Sequence, residues 1–125
     1  MKNIAIIEND QSILDLLSII LEEEGYNILP SGNSHFLNHL NALPDLINLD
    51  EWLNDEKGSD ICKKIKSNPE TAHIPIILVS AINQLEEVAK GCKADGFIEK
   101  PFNINDLVDC IKENLESPVQ KSETE

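Results

Sequence analysis

Three short apolar runs constrain the fold of this chain more than any other feature: Ile4-Ala5-Ile6-Ile7, Leu46-Ile47-Asn48-Leu49 and Ile74-Pro75-Ile76-Ile77-Leu78-Val79. They are mostly β-branched and show no alternation of apolar with polar residues, the pattern of strands buried on both faces of a parallel sheet. Tyr26 to Leu29 and Gly96 to Ile98 are weaker strand candidates. Between the runs lie helical patterns. Ile13, Leu17, Ile20 and Leu21 mark one helical face, with Gly25 as its stop signal. Ile104, Leu107, Val108, Ile111 and Leu115 mark another, ended by Pro118. Segments 34–41, 59–67 and 83–91 are shorter helix candidates. Strand and helix thus alternate through five βα units. Parallel neighbours need crossover connections, so the expectation is an α/β domain whose parallel sheet carries helices on both faces.

Composition narrows the class. A chain of 125 residues that is 41% hydrophobic makes one domain with one real core, assigned here to residues 1–116. Residues 117–125 are a polar tail, expected to be disordered. No segment approaches a membrane span, and the apolar stretch after Met1-Lys2-Asn3 is too short for a signal peptide, so a cytoplasmic location is expected. The net charge of −13 argues against direct contact with nucleic acid or an anionic membrane. Cys62, Cys92 and Cys110 are odd in number and widely spaced, which reads as buried apolar thiols rather than a disulfide framework or zinc site. His35 and His39 have a zinc-compatible spacing but no third ligand, and read as one side of a solvated helix.

The chemistry lies at the strand ends, because open α/β sheets bind ligands in the crevice beyond the carboxyl ends of their strands. Strand 1 ends in Glu8-Asn9-Asp10, strand 3 in Asp50-Glu51, strand 4 in Ser80 and strand 5 in Lys100-Pro101. An acid cluster, a second acid, a hydroxyl and a lysine would meet at one rim. Each has work in phosphoryl transfer, where a protein supplies position and charge. An Asp carboxylate can attack phosphorus, clustered oxygens can hold Mg²⁺, and an ammonium and a hydroxyl can bind the remaining phosphoryl oxygens.

The strings Ile6-Ile7-Glu8-Asn9-Asp10, Leu49-Asp50, Leu78-Val79-Ser80-Ala81 and Phe97-Ile98-Glu99-Lys100-Pro101-Phe102 resemble the response-regulator receiver domains of bacterial two-component systems, over residues 2–115. Gly58, eight residues beyond Asp50, stands where that family usually has glycine. The resemblance implies a flavodoxin-like (βα)₅ fold with strand order 2-1-3-4-5. It implies Asp50 as phosphoacceptor, Ser80 as switch hydroxyl, Lys100 as phosphate-binding lysine before a cis Pro101, and Phe97 as an aromatic that changes rotamer. It implies Mg²⁺ held by Glu8, Asn9, Asp50 and the backbone carbonyl of Trp52. The partners implied are a histidine kinase or histidine phosphotransfer protein as donor, and a downstream protein. The latter would read the face of helix 4, strand 5 and helix 5, at 83–91, 96–98 and 104–115. Such a domain is a phosphoacceptor that catalyses its own phosphorylation and dephosphorylation, not an enzyme acting on a separate substrate.

The chain departs from the family in the acidic pair, where Asn9 stands in place of an aspartate that ligates the metal. An amide oxygen can coordinate Mg²⁺ but brings no formal charge. The alternative reading is therefore a degenerate receiver, an interaction module independent of phosphate. Trp52 and Ile82 stand where the family's geometry flanks the water that would hydrolyse an aspartyl phosphate, so a long-lived phosphoryl group is expected. A phosphatase of the haloacid-dehalogenase type would need a second Asp at Trp52, and a flavin or nucleotide site would need a Gly/Ser/Thr-rich loop. The chain has neither.

Overall fold

A computed structural model of the chain describes residues 1–33 and 43–124, with side chains as far as Leu115. Five strands, β1 (Asn3–Ile7), β2 (Asn27–Ser31), β3 (Leu46–Leu49), β4 (Ile76–Ser80) and β5 (Gly96–Glu99), form one sheet in the order β2-β1-β3-β4-β5. Every pairing is parallel. The described helices are α1 (Gln11–Glu23), α2 (Gly58–Ser67), α3 (Leu85–Cys92) and α4 (Ile104–Thr124). The helix expected over 34–41, with His35 and His39, lies outside the described residues.

Both faces of the sheet are covered, as expected of apolar runs without alternation. Ala5, Ile7, Ile47, Leu49, Ile76 and Leu78 pack with Leu53, Ile61, Leu85 and Ala89 on the side of α2 and α3. Ile4, Ile6, Leu46, Ile77 and Val79 pack with Leu14, Leu17, Leu21, Leu107 and Ile111 on the side of α1 and α4. Each such Leu or Ile removed from water contributes about 1.5–3 kcal/mol before the entropy of ordering is counted. The fold therefore rests on these two half-cores, with the strand ends fixed between them.

Boundaries moved where backbone chemistry decides. β4 begins at Ile76 rather than Ile74, because Pro75 has no N–H for the ladder; its carbonyl still accepts from Ile47 N at 2.9 Å. β2 runs on through Pro30 to Ser31, which is possible because β2 is an edge strand. α1 starts on Asp10, whose carboxylate accepts from Ser12 N at 3.0 Å and Ile13 N at 3.4 Å. It ends at a turn where Gly25 takes φ +93°, a conformation that suits glycine. Pro118 predicts the end of the last helix and the composition of 117–125 predicts no regular structure, but the backbone of α4 is helical as far as Thr124. Proline removes one intrahelical hydrogen bond and leaves those on either side to form.

Candidate functional site

The carboxyl ends of β1, β3, β4 and β5 place Glu8, Asp50, Ser80 and Lys100 along one rim, as the alternating pattern requires. Lys100 arrives there through a cis peptide bond to Pro101. Its backbone N–H donates to Ser80 O at 2.9 Å, which ties the loop after β5 to the end of β4. Its ammonium Nζ lies 2.6 Å from Glu8 Oε1 and 3.6 Å from Asp50 Oδ2. Glu8 and Lys100 are 92 positions apart in sequence, yet they form the tightest ion pair of the site.

Glu8 and Asp50 are both buried. Burial pushes the Glu8 carboxyl above its ordinary value; Lys100 opposes that shift, while the neighbouring Asp50 adds to it. The second Glu8 oxygen accepts from Asp10 N at 3.2 Å. Asp50 Oδ1 accepts a long bond from Trp52 N at 3.4 Å. Ser80 is 1% exposed, and its Oγ is a buried polar atom with no hydrogen-bond partner among the described residues. An unpaired buried hydroxyl costs stability, so one at the site's rim is a group waiting for an acceptor or donor.

The other residues singled out in the sequence are placed as follows. Asn9 is exposed, and its amide nitrogen donates to Asn54 Oδ1 at 3.1 Å. Phe97 sits opposite Leu78 in the ladder, half-buried against the core on the α2/α3 side. Trp52 is 57% exposed, with Lys57 Nζ 5.8 Å from its ring centre. Ile82 packs against the α2/α3 half-core.

Mg²⁺ asks little of a protein: one or two carboxylates, with water and phosphate oxygens completing the octahedron. Glu8 and Asp50 meet that requirement; the Asn9 amide, next to Glu8 in sequence, and the Trp52 carbonyl, two residues beyond Asp50, would add neutral oxygen donors. The set fits Mg²⁺ with one negative charge fewer than an all-acid pair would supply. Among the described residues no group of three or more His, Cys, Asp and Glu side chains could hold a metal.

The loop after Asp50 gives Glu51 a role that its place in the sequence does not announce. α2 follows Lys57, which offers no side-chain cap. The cap comes instead from Glu51: its buried carboxylate accepts from Ser59 N at 2.6 Å and Ser59 Oγ at 2.9 Å. Gly58 N donates to Glu51 O at 2.9 Å, and Trp52 and Lys57 form a bridge across the loop. A helix starting without Ser, Thr, Asp or Asn at its cap was the available signal that an acceptor had to come from elsewhere. Beside Lys100, Ile13, Leu16, Ala81, Pro101 and Phe102 line an open apolar cleft of about 350 Å³.

A doubly wound sheet of this strand order, with carboxylates, a hydroxyl and a lysine at its carboxyl edge, defines a receiver module. The chain belongs to the response regulator receiver domain family, whose pattern it matches over residues 4–112. It is 32% identical over 112 residues to the DNA-binding dual master transcriptional regulator RpaA of Synechocystis sp., covering 86% of this chain and 46% of that protein. It is 31% identical over 116 residues to the phosphate regulon transcriptional regulatory protein PhoB of Rhizobium meliloti, covering 90% of this chain and 51% of that protein. The chain thus spans about half the length of these relatives. Among solved structures, a CheY-like response regulator receiver domain protein from Methanospirillum hungatei superposes with a TM-score of 0.85 at 29% identity, covering 97% of this chain and 98% of that one. No helix among the described residues is long and apolar enough to cross a membrane.

Proposed function

We propose that this chain is a receiver that takes a phosphoryl group from a histidine kinase or a histidine phosphotransfer protein onto Asp50. An Asp50 oxygen attacks phosphorus in line; the new O–P bond forms as the donor's N–P bond breaks, and the imidazole leaves. The Lys100 ammonium, 3.6 Å from Asp50 and 2.6 Å from Glu8, needs only a small shift to reach a phosphoryl oxygen. The Ser80 hydroxyl, buried and unpaired, is placed to donate to another. Mg²⁺ bound by Glu8, Asn9, Asp50 and the Trp52 carbonyl would neutralise charge on the transferring group. The apolar cleft beside Lys100 gives the donor protein a surface to bear on next to Asp50.

Output then passes to a downstream protein through the face of α3, β5 and α4. The loop after Ser80 leads into α3, and Phe97 lies on β5, so both connect Asp50 to that face. Phosphorylation-independent binding is the second reading, and the engagement of Asn9 with Asn54 favours it. The observation that carries the first reading is the Glu8–Lys100–Asp50 cluster beside an unsatisfied Ser80. Incubation with acetyl phosphate and Mg²⁺, followed by intact mass, decides between them. The wild-type chain should gain one phosphoryl group and Asp50→Asn none; equal labelling would remove Asp50 from the mechanism, and no labelling would leave the interaction module.

A further inference from the structure

On the side of the sheet away from α1 and α4, two cysteines meet between α2 and α3. Cys62 and Cys92 are both buried, and the Cys62 thiol donates to Cys92 O at 3.2 Å. Cys92 Sγ in turn contacts Ala89 O at 3.5 Å. Cys92 borders a cleft of about 180 Å³ with Lys63, Lys66, Ser67, Gly91 and Lys93, a cleft that Cys62 does not line. That volume admits several molecules of the size of water. Cys92 is also the last residue of an eight-residue helix, preceded by Gly91 and followed by Lys93 in the left-handed region at φ +64°. Glycine inside a helix and a non-glycine residue at positive φ both weaken that turn, so it opens more readily than the core beneath it.

We propose that Cys62 and Cys92 are a redox pair, oxidised by hydrogen peroxide to a disulfide that joins α2 to α3. Cys92 reacts first. Its sulfur attacks one peroxide oxygen, the S–O bond forms as O–O breaks, and the displaced hydroxide leaves as water with the thiol proton. The Cys62 sulfur then attacks the Cys92 sulfenic acid: S–S forms as S–O breaks, and the Cys62 proton leaves with the second hydroxide as water. Two thiols lose two electrons in all, and one peroxide becomes two waters. The order follows from position, since Cys92 borders the cleft at the weak last turn of α3, while burial and the adjacent Cys92 push the Cys62 thiol above its ordinary value. The bond would restrain α3, which follows Ser80, against α2, which follows the Asp50 loop, and it would form whether or not Asp50 is phosphorylated.

The test treats the native chain with hydrogen peroxide, removes the oxidant, denatures, alkylates with N-ethylmaleimide and reads intact mass and non-reduced peptides. The expected product has lost two hydrogen atoms and carries alkylation on Cys110 alone, with a cross-linked peptide pair holding Cys62 and Cys92. Dithiothreitol should restore labelling at all three cysteines. Cys110→Ser should still form the bond and Cys92→Ser should not. Full labelling after peroxide, or a disulfide that includes Cys110, would overturn the proposal. The peptide map of the wild-type chain decides even if a cysteine variant fails to fold.

Discussion

Replacing Gly58 by alanine puts a methyl group where the backbone already is. A Cβ there would sit 2.0 Å from the Asp50 carbonyl oxygen, 2.8 Å from the Asp50 carbonyl carbon and 3.1 Å from Glu51 Cα. None of these is the far end of a flexible side chain, so relief requires the loop after β3 or the first turn of α2 to move. Moving either strains the Gly58 N–Glu51 O bond at 2.9 Å and the Glu51–Ser59 cap. Overpacking of this kind costs about 1–3 kcal/mol, and a backbone clash belongs at the upper end. With an unfolding entropy of about 2.1 cal/mol/K per residue, each kcal/mol lowers Tm by about 4 °C at this length, so Gly58→Ala should lose about 8–12 °C. Gly91→Ala is the control, because a Cβ there meets nothing within 4 Å and the position is helical. Alanine in a helix is about 0.5–1 kcal/mol better than glycine, which predicts a rise of about 2–4 °C. Thermal unfolding followed by circular dichroism measures both. A Gly58→Ala midpoint within a degree or two of wild type would refute the reasoning, since it would mean that Asp50 and α2 can separate at no cost.

Asn9→Asp should tighten Mg²⁺ binding about tenfold or more, the value of one added charge about 4 Å from a cation in a partly solvated site. Titration of Trp52 fluorescence reads it, and unchanged affinity would place residue 9 away from the metal. Asn48→Leu should raise the unfolding free energy by about 1 kcal/mol, because it removes a buried amide donor that has no partner among the described residues. Urea denaturation measures it, and a loss of stability would mean that the Asn48 amide is satisfied in solution.

The fold was legible because the informative residues are those that both faces of the sheet bury. Ile4–Ile7, Leu46–Leu49 and Ile76–Val79 carry no polar face, and only a parallel sheet between helices accepts such strands. The rim was legible for a related reason: a strand end fixes where the next side chain emerges, so Glu8 and Lys100 could be brought together without knowing any distance. What could not be read were contacts that depend on how a loop turns. Glu51 follows Asp50 directly, and nothing in the residue itself says that its carboxylate reaches Ser59 rather than solvent. Asn9 and Asn54 lie on different loops, and their bond depends on the path of the chain between Leu53 and Lys57. The Trp52 ring is exposed with Lys57 Nζ 5.8 Å from its centre, a contact that goes with the bridge between residues 52 and 57 and that residue type alone does not announce.

The ion pair between Glu8 and Lys100 decides how the site can change state. A buried carboxylate is tolerable only while something positive or donating faces it, and Glu8 has Lys100 at 2.6 Å and Asp10 N at 3.2 Å. Drawing Lys100 toward a phosphoryl group on Asp50 takes away the stronger of these. Glu8 must then recover a cation or take up a proton, and the upward push of burial on its carboxyl makes the proton easier to accept than for an exposed glutamate. An aspartate at position 9 would hold a divalent cation there by charge. With an amide in its place, Glu8 would carry most of that duty on the proposed function, and would link the position of Lys100 to the protonation and metal content of the site.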